Sequence, residues 1–258
     1  MTLFHEVHGQ GPALVLLHGW AMHSGIFAPL IERLSSHFTM HLVDLPGHGR
    51  SAGHGLPLTL ENAAAQVLAA VPERALWLGW SLGGLVALQA AAGPPARMRG
   101  LVMMAASPRF VRAEDWPQGM DASIFREFAK ALGSDYRGTL DRFLMLEAQG
   151  SDHVREELRL LRGEVFAHGE PAADVLRDGL GLLEASDLRA VLPGLALPSL
   201  WVAGRRDRRV SPAALQAAAA LAPGSRFHQV GSGGHAPFLT HADDVAAALR
   251  EFEAGIGA

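Results

Sequence analysis

Gly79-Trp80-Ser81-Leu82-Gly83, followed by a further glycine, Gly84, is the stretch whose residue types and spacing most directly suggest chemistry. A serine with glycines two positions to either side suits a sharp strand-to-helix turn, where a Cβ at either flanking position would clash. The context fits: the apolar run Ala75-Leu76-Trp77-Leu78 precedes the serine and a helical pattern from Leu82 to Ala92 follows it. Such a turn exposes the hydroxyl beside the positive end of the following helix. A phosphate loop or a plain tight turn would share the glycines but not the strand–serine–helix order. Ser81 is therefore the expected nucleophile.

A serine hydroxyl needs a base, and the base needs an acid to orient it. Where the nucleophile sits at this kind of turn, acid and base follow it in that order, on loops after later strands. Of the 13 histidines, His235 stands out. It ends the glycine-rich loop Gly231-Ser232-Gly233-Gly234, just past the strand pattern Arg226 to Val230, and so can reach back across a sheet. His228 lies within that strand and His241 begins the last helix. His41, His48, His54, His153 and His168 read as surface or packing residues. No histidine falls in a metal-ligand spacing such as H-E-x-x-H, so no metal is expected. Asp207, in Gly204-Arg205-Arg206-Asp207-Arg208-Arg209, lies just past another strand and 28 residues before His235, where the acid is required. A surface aspartate neutralised by arginines is the plainer alternative. Asp187, which precedes that strand, competes less well.

Two backbone amides are expected to face the developing oxyanion. One belongs to Leu82, the residue after the nucleophile. The other belongs to Trp20 in His18-Gly19-Trp20, which follows the first buried strand. Preformed donors of this kind are worth a factor of about 100 to 1,000 each in rate. His18 itself is expected to shape the loop, and since no Gly-Gly-Gly follows it the loop is not of the His-Gly-Gly-Gly type.

The elements that must position these groups can be read from periodicity. Leu14–Leu17, Met40–Leu45, Ala75–Trp80 and Leu101–Ala106 are apolar at nearly every position, as strands buried on both faces of a parallel sheet are. Helical patterns at 26–34, 60–70 and 82–92 lie between them, the last stopped by Gly93-Pro94-Pro95. From Met120 to Leu183 the period becomes 3.6, giving four helices near 121–132, 135–149, 152–168 and 171–184. Alternation then resumes with strand 200–204, helix 211–222, strand 226–230 and helix 243–252. The reading is an α/β core, residues 1–108 and 186–258, interrupted by a helical insertion over 109–185.

Composition closes off other classes. The 258 residues carry a formal net charge of −4, without the basic excess of a nucleic-acid binder. There is no cysteine, so disulfides, thiolate nucleophiles and Cys-ligated metals are excluded. No apolar run reaches the ~20 residues that span a bilayer. Met1 to Gly11 carries two histidines and a glutamate where a secretory leader needs an apolar segment, so a cytoplasmic setting is expected. Lys130 is the only lysine among 22 basic residues, which reads as coding bias.

Together the serine turn, the two later partners and the His18-Gly19-Trp20 loop resemble the α/β-hydrolase superfamily over the whole chain. Longer runs narrow the likeness: Leu16-Leu17-His18-Gly19-Trp20, Ser35-Ser36-His37-Phe38-Thr39, His41-Leu42-Val43-Asp44-Leu45-Pro46-Gly47, Trp77 to Val86, Arg142-Phe143-Leu144 and His235-Ala236-Pro237-Phe238. These look like the carboxylesterase family that hydrolyses the methyl ester of pimeloyl-[acyl-carrier protein] in biotin synthesis. The resemblance implies an α/β-hydrolase fold with a mostly parallel sheet and a four-helix lid, no cofactor, and a monomer whose partner is acyl-carrier protein. It implies that Phe143, Leu144, Met145, Leu146 and Glu147 line the acyl pocket beside Trp20, Ser81, Leu82 and His235. Glu147 stands where the family is expected to have glutamine. Arg142, Arg155 and Arg159 match positions that face the acidic carrier, and a further family arginine is replaced by Gly138, with Arg137 beside it.

The residues alone leave the lid open to a plainer account. On helix 152–168, Val154, Leu158, Leu161 and Val165 form an apolar stripe, with Arg155, Arg159 and Arg162 on the adjacent face. Five arginines and five acids between 137 and 162 cancel, as on an ordinary solvated surface. Two rival functions follow. One is a broad small-ester hydrolase using the same triad. The other is a non-catalytic binding protein on a hydrolase scaffold, against which an intact triad argues.

Overall fold

The computed structural model describes residues 2–53, 57–93 and 97–256; His54 and the Pro94-Pro95 stop read from the sequence lie outside them. Its centre is a seven-stranded sheet in the order β1-β3-β2-β4-β5-β6-β7. The strands are β1 (His5–Gly9), β2 (Ala13–Leu17), β3 (Thr39–Val43), β4 (Ala75–Trp80), β5 (Met98–Met104), β6 (Ser199–Gly204) and β7 (Ser225–Val230). All pairings are parallel except that of β1 with β3. Every residue of β4 and β6 is buried, which is why their sequences are apolar except for Ser199 at the start of β6. The edge strands β1 and β7 are half-exposed and carry His, Glu, Arg and Gln.

Strand β1 has no counterpart in the sequence reading. Its five residues, HEVHG, include three polar side chains and lack the apolar run by which the inner strands were recognised. The short helix Pro237–Thr240 just after His235 was not expected either, whereas the other strands and helices fall within a few residues of their expected bounds. The core helices are α1 (Ala28–Leu34), α2 (Leu60–Ala70), α3 (Leu82–Ala91), α8 (Pro212–Leu221), the short α9 (Pro237–Thr240) and α10 (Ala242–Ile256). Between β5 and β6 lie α4 (Ala122–Leu132), α5 (Tyr136–Ala148), α6 (Val154–Glu164) and α7 (Ala173–Ala185). Helix α4 packs on α5 and α7, and α5 on α6; α6 meets α9 and α7 meets α3, which seats the insertion on the core.

Topology sets the place of the site. The chain adds β3 on one side of β2 and then returns to lay β4 on the other, so the connections leave β2 and β4 in opposite directions. Open α/β sheets bind ligands beyond the carboxyl ends of strands at such a switch point. Leu17 is in register with Gly79, which brings the His18-Gly19-Trp20 loop and Ser81 to the same crevice.

Candidate active site

Ser81 is strained as its motif requires, with φ 53° and ψ −118° at the N-cap of α3. The glycines around it are steric necessities. A Cβ on Gly79 would collide with the backbone of Gly83 and Gly84, and one on Gly83 would collide with the carbonyl oxygens of Leu17 and His18. The Ser81 amide donates to Met104 O at 3.1 Å, fixing the turn to the end of β5.

His235 comes over the sheet from β7. Gly204, the last residue of β6, has no side chain to keep the backbone of Gly233 and Gly234 away. The amide of Arg206 donates to Gly233 O at 2.9 Å, and the Trp80 indole donates to the His235 carbonyl at 2.8 Å. So placed, His235 Nε2 lies 3.1 Å from Ser81 Oγ, and its Nδ1 lies 2.8 Å from Asp207 Oδ2. The second Asp207 oxygen accepts the amides of Arg209 and Val210 at 2.8 and 3.0 Å. Ser81, Asp207 and His235 are all buried. Asp207 is thus an interior carboxylate held by backbone donors, not a surface group neutralised by its arginine neighbours. Asp187 is engaged elsewhere, taking Arg189 and Arg109 at 2.7 and 2.6 Å.

A second carboxylate reaches the imidazole. Glu147, buried on α5, has Oε2 3.5 Å from His235 Nε2 and Oε1 3.2 Å from Arg209 Nε. Burial of His235 works against its protonation, but the negative charges of Asp207 and Glu147 outweigh it and hold its pKa above the ordinary histidine value. Arg209 is itself buried, with its guanidinium carbon 4.3 Å from the centre of the Phe143 ring. The sequence reading gives Arg209 no role at the site. The one available signal was its nearness to Asp207, and its pairing with α5 emerges only from packing.

The loop after β2 is shaped by His18. Its Nε2 accepts the Leu45 amide at 2.9 Å, so Nδ1 carries the proton and donates to Gly19 O at 2.8 Å. Burial lowers its pKa to about 3, which keeps it neutral. Trp20 is anchored by its indole N–H on Leu176 O at 2.7 Å, across to α7. Leu82 is the first residue of α3, and its N–H is among the helix-start donors that find no partner inside the helix.

Helix α5 divides the expected pocket run by its own periodicity. Phe143 packs against Trp20 with ring centroids 4.3 Å apart and the rings tilted by 51°, and Glu147, one turn later, reaches His235. Leu144 is buried, whereas Met145 is exposed. Met145 and Leu146, with Arg142, Phe128 and Val154, line a groove of about 790 Å³. Of the arginines, Arg142 contacts Asp135 and Thr139 at 3.0 and 2.9 Å. Arg155 and Arg159 are exposed on α6. Arg162 forms a two-pronged pair with Asp141 at 2.6 and 2.9 Å. On the apolar stripe of the same helix, Leu161 and Val165 are buried, while Val154 is exposed. Gly138 donates its amide to the N-capping Asp135 at 3.1 Å, and Arg137 pairs with Glu170. Apart from the triad, Asp152, His153 and His241 bring ligand atoms within 4.8 Å of one another at the surface. No helix among the described residues is long and apolar enough to cross a membrane.

A parallel sheet with a strained serine at its switch point, a hydrogen-bonded histidine and a buried aspartate defines a hydrolase of the triad class. The chain belongs to the alpha/beta hydrolase fold family, which it matches over residues 12–242. Two curated relatives, from Stenotrophomonas maltophilia (strain R551-3) and Xanthomonas campestris pv. campestris (strain B100), are each named pimeloyl-[acyl-carrier protein] methyl ester esterase. Both are 57% identical to it over 97% of the chain, and the match covers 96% and 98% of their own lengths. Among solved structures, an esterase from Exiguobacterium antarcticum aligns with TM-score 0.85 at 20% identity, covering 99% of this chain and 96% of that one. A bromoperoxidase from Bacillus anthracis aligns with TM-score 0.86 at 20% identity, covering 97% and 94%. At that identity the likeness speaks to the fold alone.

Proposed function

We propose that the chain is a serine carboxylesterase that hydrolyses the methyl ester of a pimeloyl chain carried on acyl-carrier protein, as in biotin synthesis. Ser81 Oγ attacks the ester carbonyl while its proton passes to His235 Nε2. The Trp20 and Leu82 amides hold the oxyanion, and Asp207 keeps the imidazole in the Nδ1–H tautomer and steadies its charge. His235 then hands the proton to the departing methoxide. Water, giving a proton to the same nitrogen, attacks the acyl-enzyme; collapse frees Ser81 and leaves the pimeloyl carboxylate on its carrier.

The observation that carries the chemistry is the unbroken Ser81–His235–Asp207 hydrogen-bond chain. The choice of substrate rests on the names of relatives 57% identical over nearly the whole chain. Residues 109–185 act as a lid on a core formed by 1–108 and 186–258. Under it Trp20, Phe143, Leu144 and Glu147 bound the acyl slot, with Met145 and Leu146 at its outer side. Arg142, Arg155 and Arg159 receive the acidic carrier. A cytoplasmic monomer goes with this reading.

The test compares kcat/KM for the carrier-bound pimeloyl methyl ester with that for free dimethyl pimelate and a short nitrophenyl ester, at low and high salt. A large preference for the carrier-bound ester that shrinks with salt is expected. Equal or better turnover of free short esters would replace this reading with a broad-specificity esterase.

A further inference from the structure

The two carboxylates at His235 are not equivalent. Asp207 meets Nδ1, the usual orienting contact. Glu147 meets Nε2, the nitrogen that must take the proton from Ser81, at 3.5 Å. Oε2 of Glu147 is buried and has no hydrogen-bond partner when Nε2 is a bare lone pair. A buried carboxylate oxygen left unpaired beside a second acceptor is costly. Protonation of Nε2 removes the conflict, because the N–H then points into a space bounded by Ser81 Oγ and Glu147 Oε2. The charged groups facing His235 are Asp207 and Arg209 from the loop after β6 and Glu147 from α5. Since Arg209 already answers one negative charge through its 3.2 Å contact with Glu147, an imidazolium brings this cluster to neutrality, whereas a neutral imidazole leaves it one negative charge in excess.

We propose that Glu147 is a positioning residue that acts through His235, its free Oε2 stabilising the imidazolium formed when Ser81 gives up its proton. This rests on the triad reading above and adds to it a second carboxylate on the proton-accepting side. The arrangement has two consequences of opposite sign. It favours the charged state reached during attack. It also favours protonation of the resting enzyme, so activity disappears at a higher pH on acidification than with Asp207 alone.

The test is the acid limb of two pH profiles: kcat/KM on a short nitrophenyl ester, and the rate at which a neutral fluorophosphonate labels Ser81. Neither depends on the identity of the natural acyl chain. Glu147→Gln keeps the shape and removes the charge, and its amide can donate to the Nε2 lone pair. The midpoint of the limb is expected to fall by about one pH unit in both profiles, with the plateau rate reduced several-fold. Glu147→Asp, which restores the charge at a longer reach, is expected to return the midpoint part of the way. A merely structural role would lower thermal stability and amplitude and leave the midpoint fixed. If wild type labels at Ser81 and Glu147→Gln, still folded by its melting curve, has the same midpoint, the proposal is wrong while the triad stands. If wild type does not label at all, the triad reading fails and this proposal with it.

Discussion

Asp207 and His235 are joined by a 2.8 Å hydrogen bond from Nδ1 to Oδ2, and the aspartate is itself fixed by two backbone amides on its other oxygen. The carboxylate therefore cannot turn away, and the imidazole it holds must present Nε2 to Ser81. Asp207→Asn can offer an N–H where an acceptor is needed and so favours the wrong tautomer. Its kcat is expected to fall about 10⁴-fold with the fold preserved. Circular dichroism and a steady-state assay on one preparation check both halves; a loss below tenfold would contradict the role given to Asp207.

Gly83 is where the nucleophile turn and the loop after β2 touch. A Cβ there would meet the carbonyl oxygens of Leu17 and His18, which are backbone and cannot swing aside. Gly83→Ala is expected to cost about 1–3 kcal/mol of stability as an overpacked site. Activity should fall further than stability, because the displaced segment carries the Trp20 amide. Urea denaturation beside kcat separates the two effects.

The buried histidines predict the acid side of the stability curve. His18 and His48 have pKa values lowered to about 3 and about 4 by burial. Between those values and about 6.5 the unfolded chain binds protons that the folded chain does not, so stability falls as pH falls. Asp44, whose pKa is depressed despite its burial by bonds from Arg50 and Ser24, adds to the loss at lower pH. Glu157, raised by burial, works the other way in part of this range, whereas His235, also raised, changes the stability only above about 6.5. The net expectation is a decline on the order of 1–2 kcal/mol per pH unit from pH 6 to 4, measurable as denaturation midpoints.

Arg155 and Arg159 are exposed on α6, and Arg162, exposed as well, is tied to Asp141. Reversing both to glutamate is expected to raise KM for the carrier-bound ester tenfold or more and to leave free dimethyl pimelate unchanged. Like effects on both substrates would place the damage in the fold of the lid and not in carrier docking.

Legibility in the sequence followed the range of the interactions involved. The serine turn could be read because its steric demands fall on neighbours two to three positions away, at Gly79, Gly83 and Gly84. Asp207 could be read because it follows the local apolar run of β6, and His235 because it ends a glycine-rich loop just past a strand pattern. Strand β1 could not, since its place rests on pairing with β3 and not on burial of its own side chains. The run Phe143 to Glu147 was expected to line one pocket, yet a helix turns 100° per residue, so Phe143 and Glu147 share the inner face while Met145 looks outward. Glu147 meeting His235, and Arg209 meeting Glu147, depend on α5 packing over the loop after β6. Residues separated by 62 to 88 positions leave no mark of such a meeting in the chain.

The central claim is that Ser81 is the group that attacks the ester. The most direct measurement is methanol release from the carrier-bound pimeloyl methyl ester by wild type and by Ser81→Ala, with enzyme in excess so that a single turnover is seen. Release by wild type and a loss of about 10⁴-fold or more in the variant is the predicted result. Retention of activity within tenfold by folded Ser81→Ala would contradict the mechanism.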